Sequence, residues 1–202
     1  LEESALAPFH RQNSLGDTQP LLGKGAKELG ISGISAFKVL RLLGTGTFAT
    51  VHLVEAREGG QRFALKKTRQ RFRNRKARDY QLHEVRVLQR LMEGGGAGLQ
   101  HLVPLHACWQ EGGFLYVLLG LCAGGSLRDL QQHLNGALPL TTLLATLHDV
   151  CQGLGYVHRK GVVHLDVKPA NLLLSGGRVL LGDFGMAAEA GSTEDEREGD
   201  TK

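Results

Sequence analysis

The chain has 202 residues, a net charge of +4 and 42% hydrophobic residues, which suffices for the core of one ordinary domain or of two small lobes. Its longest apolar stretches, such as residues 114–122, are far shorter than the roughly 18 residues that a membrane-spanning helix needs, so we expect no span. Residues 1–14 lack the features of a signal peptide. Three widely spaced cysteines argue against a disulfide framework or a zinc knuckle and favour a reducing compartment, which predicts an intracellular protein of the nucleus or cytoplasm.

Composition and periodicity divide the chain into three parts. Residues 1–33 predict a flexible leader, because prolines, glycines and serines interrupt any periodicity. Residues 34–120 predict a small, mostly antiparallel lobe with one helix, and residues 121–202 predict a linker and part of a helical second lobe. A basic block at 66–78 is best explained as a solvated linker, since it lacks the aromatic support that nucleic-acid binding needs. We therefore expect no nucleic acid as a partner.

A glycine-rich turn lies near the start of the small lobe. Residues 43–51 read Leu-Gly-Thr-Gly-Thr-Phe-Ala-Thr-Val and lie between two apolar stretches, which predicts a strand, a turn and a second strand. Gly44 and Gly46 remove Cβ atoms where backbone must approach phosphates closely, and Phe48 can fold over the turn to exclude water. The same spacing is most often a plain hairpin, so the motif needs support from elsewhere.

A strand lysine and a helix glutamate follow. Residues 63–66 alternate as a strand does, so Lys66 faces a cleft while Lys67 points to the opposite face. Lys66 can then anchor phosphate groups. Eighteen residues later, Glu84 lies in a segment with apolar residues at helical spacing, and we predict that it orients Lys66 as an ion pair.

The second lobe carries a dense cluster of polar residues behind a predicted helix. Its apolar stripe, which we expect to be core, consists of Leu143, Leu144, Leu147, Val150, Cys151 and Leu154. Residues 164–171 then read His-Leu-Asp-Val-Lys-Pro-Ala-Asn, and residues 183–185 read Asp-Phe-Gly. Asp166 can accept the proton of a substrate hydroxyl, Lys168 can neutralise a transferring phosphoryl group, and Asn171 with Asp183 can supply the hard oxygen ligands that Mg²⁺ prefers. The cluster predicts a phosphoryl-transfer centre.

Taken in order, these motifs resemble the eukaryotic protein kinases. The resemblance covers about residues 34–202 and implies an α+β, two-lobed kinase-like fold, with a small antiparallel-sheet lobe and an incomplete helical large lobe that ends at the start of the activation segment. It implies ATP and Mg²⁺ as cofactors. By the same resemblance, residues 121–125 form the hinge between the lobes, and Ala49 replaces a third glycine of the usual turn. The implied nucleotide contacts are Leu43, Gly44, Thr45, Gly46, Thr47, Phe48, Val51, Ala64, Lys66, Gly120, Cys122 and Ser126.

A narrower resemblance rests on three short strings. The segment 164–171, the string Leu-Gly-Asp-Phe-Gly at 181–185 and Glu-Gly-Asp at 198–200 are together similar to the Wee/Myt family of inhibitory kinases. That similarity implies a protein substrate, namely a cyclin-dependent kinase modified on Thr or Tyr in its own glycine-rich loop. Lys168 followed by Pro169 is the serine/threonine type of loop, although Tyr stays open as an acceptor.

Leu165 stands where most kinases carry an arginine that pairs with a phosphate on the activation segment. We therefore expect any activity to be independent of an activating phosphate in that segment. Two other functions stay open beside the Wee/Myt reading: a serine/threonine kinase outside that family, and a truncated nucleotide-binding pseudokinase that acts as a binding module. A small-molecule kinase is disfavoured by the spacing of Lys168 and Pro169. We expect a monomer.

Overall fold

A computed structural model describes residues 19–21, 31–72 and 75–191. Within these residues a six-stranded sheet forms the small lobe, in the order β1-β5-β6-β4-β3-β2, and each neighbouring pair is antiparallel. The strands are β1 (Gln19–Leu21), β2 (Phe37–Thr45), β3 (Ala49–Ala56), β4 (Arg62–Thr68), β5 (Leu105–Glu111) and β6 (Phe114–Gly120). Helix α1 (Arg75–Met92) lies between β4 and β5 in the chain.

Successive side chains of each strand point to opposite faces of the sheet, so both faces carry packed side chains. On the outer face Phe37 stacks on Trp109, with ring centroids 6.0 Å apart, and Trp109 stacks on Tyr116 at 5.3 Å. Lys67 lies on this face, with its Nζ 4.5 Å from the centroid of the Phe114 ring. The inner face packs on α1 through a cluster of Phe72, Leu82, Val85, Cys108, Leu115 and Val117.

The leader differs from its prediction where the structure describes it. Residues 19–21 form β1 and pair with β5, so part of the expected flexible segment is a strand of the sheet. Residues 31–36 are also held: the backbone N–H of Ile34 donates to Glu111 Oε2 at 2.8 Å, and Ile34 packs on the outer cluster. The physical reason is that β5 offers an open edge and the outer cluster an apolar surface. The other leader residues, and the string at 198–200, lie outside the described residues.

The second lobe begins after the linker at 121–125. It contains α2 (Leu127–His133), α3 (Leu140–Arg159) and two short sheets, in which β7 (Val162–Val163) pairs with β10 (Ala188–Glu189) and β8 (Leu172–Ser175) with β9 (Arg178–Leu181). One buried cluster joins the two lobes, because Val87 and Leu91 of α1 share it with Val157 of α3 and with Phe184. None of the described helices combines the length and apolarity that crossing a membrane requires.

The apolar stripe predicted for α3 is only partly core. Val150 and Leu154 pack against the buried cluster, but Leu143, Leu144 and Leu147 are exposed. The face that α3 buries is rotated from the predicted stripe, and its buried residues are Thr146, Gly153, Tyr156 and Val157. The prediction was wrong here because the buried face includes Thr146 and Gly153, which give no apolar signal in the sequence, and tertiary packing decides which side of a helix is buried.

The loop between α1 and β5 is fastened to the end of α3. Lys160 Nζ donates to the carbonyl of Glu93 at 2.7 Å, and Arg159 Nη2 donates to that of Ala97 at 2.8 Å. Gly98 allows the close approach: its φ is +104°, and a Cβ there would lie 2.7 Å from Tyr156 Cβ and 2.8 Å from the carbonyl oxygen of Gln152. The two lobes therefore meet at this loop as well as at the linker.

We expect Gly98→Ala to destabilise the protein by about 1–3 kcal/mol more than Gly95→Ala, because overpacking adds to the strain of a positive φ. Gly95 is the matched control, since its φ is +60° while nothing lies within 4 Å of the added methyl group. Urea unfolding of both variants measures the difference. Equal stabilities would contradict the proposed close contact.

Candidate active site

Lys66 lies at the centre of the cleft side of the small lobe. It sits on β4, paired with Val51 of β3 and Val117 of β6, and its Nζ donates to both carboxylate oxygens of Glu84 at 2.7 Å. The same Nζ donates to Asp183 Oδ1 at 3.0 Å. The structure thus brings together three predicted residues that are up to 117 positions apart.

The charges around Lys66 keep it protonated. Burial alone would lower its pKa, because desolvation penalises the ammonium, but the nearby carboxylates of Glu84 and Asp183 and their hydrogen bonds together raise the pKa above its ordinary value. Lys66 is therefore a fixed cation over the whole physiological pH range. A fixed cation beside a cleft is what phosphate binding requires.

A second cluster forms on the loop after β7. Lys168 Nζ donates to both carboxylate oxygens of Asp166, at 3.0 and 2.7 Å, and Asn171 Nδ2 donates to the Asp166 backbone carbonyl and to its Oδ2, both at 2.9 Å. The hydrogen bond from Lys168 has the largest effect and lowers the pKa of Asp166; burial opposes it, and the hydrogen bond from Asn171 lowers the pKa further. Asp166 is therefore ionised at neutral pH and can accept a hydrogen bond from a hydroxyl group.

The backbone at this site is held in uncommon conformations. Leu165 and Asp183 are non-glycine residues with φ of 60° and 55°. The surrounding packing enforces them: Phe184 is fully buried, its ring centroid lies 4.6 Å from that of His164, and His164 Nε2 lies 3.0 Å from the carbonyl oxygen of Gly182. Strain of this kind persists where the surroundings over-determine a conformation, and here it sets the direction of both Asp166 and Asp183.

The residues predicted to hold Mg²⁺ fit that role by their chemistry. Asn171 is buried, and its amide nitrogen donates to Asp166, so its amide oxygen is the atom left to face a cation. Asp183 has one carboxylate oxygen on Lys66 and a side chain that is half exposed. Two hard oxygen donors on neighbouring loops, with phosphate oxygens to complete the set, suit Mg²⁺.

The glycine-rich turn has the space that a ligand would need. Nothing lies within 4 Å of the position that a Cβ on Gly44 would take, and a Cβ on Gly46 would meet only the Ala49 carbonyl, at 3.5 Å. Neither glycine has a positive φ, so the fold itself does not demand glycine here. Phe48 is 61% exposed at the tip. The other predicted contacts in this lobe lie on β2 (Leu43 and Thr45), in the turn (Thr47), on β3 (Val51) and on β4 (Ala64).

The linker residues fit their predicted role as nucleotide contacts less completely than the glycine-rich turn does. The N–H of Gly120 donates to the carbonyl of Pro104 at 2.9 Å, so a ligand hydrogen bond at Gly120 would have to use its carbonyl group. Cys122 is half-buried, which raises the pKa of its thiol to about 11. Ser126 is buried, its Oγ donates to Asp129 Oδ2 at 2.7 Å, and it accepts from the Asp129 N–H at 3.2 Å, so its contact with a nucleotide stays a prediction. Its hydroxyl is used as the N-cap of α2.

Sequence reasoning missed one polar contact at this site. His83, next to Glu84 on α1, has its Nε2 2.6 Å from the carbonyl oxygen of Ala187. A single histidine in a helix gives no signal of such a partner, because the two residues are 104 positions apart. The contact is visible only once α1 is packed against the chain after Phe184.

The fold and the paired ion clusters define the two-lobed architecture of a protein kinase. Residues 37–201 match the family model described as "Protein kinase domain". The chain is 37% identical to the "Mitosis inhibitor protein kinase wee1" of Schizosaccharomyces pombe over 159 residues, which cover 77% of this chain and 18% of that protein. It is 30% identical to a "Wee1-like protein kinase" of Arabidopsis thaliana over 202 residues, covering 99% of this chain and 39% of the relative.

The chain belongs to the protein kinase domain family. Its similarity to Wee1-type relatives confirms the narrower resemblance, and the antiparallel small lobe confirms the predicted fold class. A further relative is the "Serine/threonine-protein kinase PEPKR2" of Arabidopsis thaliana, 32% identical over 148 residues that cover 73% of this chain and 29% of that protein. The chain spans less than half the length of each of these relatives.

We expect Gly44→Val to weaken binding of Mg-ATP by about tenfold or more, since one lost contact of 1.4 kcal/mol already has that effect. Valine suits a strand, and the added side chain enters open space, so the melting temperature without nucleotide should stay unchanged. Nucleotide titration and thermal unfolding of the same sample measure both. A lower melting temperature with unaltered affinity would show that Gly44 serves the fold.

We expect iodoacetamide at pH 8 to label Cys151 well before Cys122 and Cys108. The thiolate is the reactive form, and burial raises the pKa of Cys122 to about 11 and that of Cys108 to about 12, whereas Cys151 is exposed. Labelling of Cys122 should rise only as the pH approaches 11. Peptide mapping by mass spectrometry measures each site, and equal labelling of Cys122 and Cys151 at pH 8 would refute the assignment.

Proposed function

We propose that the protein is an ATP- and Mg²⁺-dependent protein kinase that transfers the γ-phosphoryl group to a hydroxyl of a protein substrate. One observation carries the proposal: Lys66 is held between Glu84 and Asp183 while Asp166 is held between Lys168 and Asn171. Phosphoryl transfer needs charge and positioning more than covalent chemistry, and these two clusters provide both.

Each residue has a distinct part in the proposed reaction. Bound Mg-ATP supplies the transferable phosphoryl group and part of the charge neutralisation. Glu84 orients Lys66, whose fixed ammonium would offset the charge of the nucleotide's α- and β-phosphates. Asp166 accepts the hydrogen bond of the substrate hydroxyl and orients its oxygen for attack. Lys168, which is half exposed beside Asp166, can offset charge on the group in transfer.

We further propose a Wee/Myt-type role, in which the substrate is a cyclin-dependent kinase and its phosphorylation is inhibitory. Support comes from the strings at 164–171 and 181–185, and from relatives whose names describe a mitosis inhibitor and Wee1-like kinases. The loop with Lys168 and Pro169 favours Ser or Thr as the acceptor and leaves Tyr open. Such a target would be met inside the cell, in the nucleus or cytoplasm.

A serine/threonine kinase with another substrate is the second candidate. It is favoured by the relatives outside the Wee1 group, PEPKR2 and the 28% identical "Serine/threonine-protein kinase Nek4" of Mus musculus. Both candidates use the same catalytic residues. The identity of the phosphorylated protein is what separates them.

The test incubates the full-length protein with a cyclin-dependent kinase–cyclin complex and Mg-ATP, and locates new phosphate by mass spectrometry. We expect phosphate on the Thr or Tyr of the target's glycine-rich loop. Asp166→Asn should lower turnover by about 10²- to 10⁴-fold, because it removes the group that accepts the hydroxyl proton. Glu58→Gln, an exposed carboxylate in the β3–β4 turn, is the matched control and should keep full activity.

Three results are informative. Phosphate in that loop, absent with Asp166→Asn, supports the Wee/Myt role. Labelling of a general protein substrate but not of the cyclin-dependent kinase keeps the kinase and refutes the narrower role. Equal labelling by the unmodified protein and Asp166→Asn, or none by either, refutes catalysis and favours a nucleotide-binding pseudokinase.

A further inference from the structure

Helix α1 holds the start of the activation segment, of which residues 183–191 are described, through a second set of side chains. His83 contacts the carbonyl oxygen of Ala187, and Arg90 Nη1 lies 2.8 Å from Glu189 Oε1. His83 and Arg90 are seven residues apart, which is two helical turns, so they share one face of α1. This face is adjacent to the one that presents Glu84.

The contact is apolar between its two polar ends. Val87 lies between His83 and Arg90 on the helix, and it is buried in the same cluster as Phe184 and Ala187. Ala187 itself is 2% exposed, so the carbonyl that faces His83 belongs to a well-packed residue. A buried carbonyl needs a donor, and the imidazole N–H of His83 meets that need.

The same short segment is fixed to the large lobe on its other side. Ala188 pairs with Val163 and Glu189 with Val162, and the N–H of Ala190 donates to the carbonyl of Gly161 at 2.8 Å. The segment therefore bridges α1 and the loop that carries Asp166. These contacts join side chains and backbone groups of the chain itself, so the bridge forms without a phosphate group.

The bridge matters because Leu165 cannot bind a phosphate on the activation segment. Leu165 stands beside Asp166 in the place of an arginine, is 63% exposed, and has no charge with which to bind a phosphate. A catalytic loop of this kind has lost the cation through which a phosphorylated activation segment is usually secured. Something else must keep α1 and Glu84 in place.

We propose that His83 and Arg90 are positioning residues that hold the activation segment against α1, and so keep Glu84 on Lys66 without a phosphate in that segment. The proposal rests on the proposed kinase function. His83 and Arg90 touch neither nucleotide nor substrate in this scheme. They act through Glu84 and Lys66.

The first test compares His83→Leu with His83→Gln in full-length protein that has been treated with phosphatase. Leucine removes the donor to Ala187, and we expect kcat/KM for ATP to fall about tenfold, as loss of one well-formed hydrogen bond predicts. Glutamine keeps an amide donor at a similar reach and should restore most of the activity. Arg86→Ala is the matched control, because Arg86 is on the same helix but pairs with Asp79 at 3.7 Å.

The second test reverses the charges of the outer pair. Arg90→Glu and Glu189→Arg should each lower kcat/KM about two- to fivefold, since the pair is largely exposed, and the double variant should recover the loss. Recovery in the double variant supports a direct contact. Additive losses would overturn it, even if a single variant folds poorly.

Hydrogen exchange of residues 183–191 separates this inference from the proposed function. Faster exchange in His83→Leu but not in His83→Gln supports the bridge, and it does so whether or not the protein turns over ATP. Unchanged exchange and unchanged kcat/KM in His83→Leu would overturn it. Collapse of activity when the unmodified protein is treated with phosphatase would overturn it as well, whereas activity lacking from the start would refute the kinase proposal alone.

Discussion

The ion pair between Lys66 and Glu84, with Asp183 as a third member, is the interaction on which the rest of the site depends. An ammonium group with a side chain 80% removed from solvent is costly unless carboxylates compensate for the lost water. Those carboxylates come from α1 and from the large lobe, so Lys66 is satisfied only when both elements are in place. Removing one member of a fully buried pair costs about 3–5 kcal/mol, and the cost here is smaller because Lys66 is partly exposed and has two carboxylate partners. The charge of Lys66 on β4 is therefore compensated only when α1 and the loop that carries Asp183 are both in place.

The position of α1 is in turn a matter of packing. Leu82 and Val85 bury one side of the helix against the inner face of the sheet, while Val87 and Leu91 bury another side in the cluster that contains Phe184. Because the helix belongs to two cores, a displacement that separated Glu84 from Lys66 would also expose apolar surface in both. At roughly 25 cal/mol per Å² of apolar surface, that penalty adds to the polar contacts of α1 in keeping Glu84 on Lys66.

Much of the site could be predicted because its parts are local in sequence. Residues 164–171 and 183–185 carry their chemistry within about twenty positions, and strand alternation alone separates Lys66 from Lys67. Long-range features could not be read in this way. The pairing of residues 19–21 with β5 depends on an open sheet edge, and the contact of His83 with Ala187 spans 104 positions. The capping role of Ser126 was missed although the signal was present: a serine followed three residues later by an acid is a capping box, and the cap uses the hydroxyl.

The surroundings of Asp166 indicate what kind of base it can be. Hydrogen bonds from Lys168 and Asn171 lower its pKa, which makes it a weaker proton acceptor than an ordinary carboxylate. A strong base is not required, because phosphoryl transfer passes through a loose transition state in which the attacking oxygen forms its bond late. Orientation of the hydroxyl matters earlier than removal of its proton. The strained backbone at Leu165 and the two hydrogen bonds from Asn171 fix the direction of the Asp166 carboxylate. The carboxylate is thus less basic than usual but better aligned with the hydroxyl.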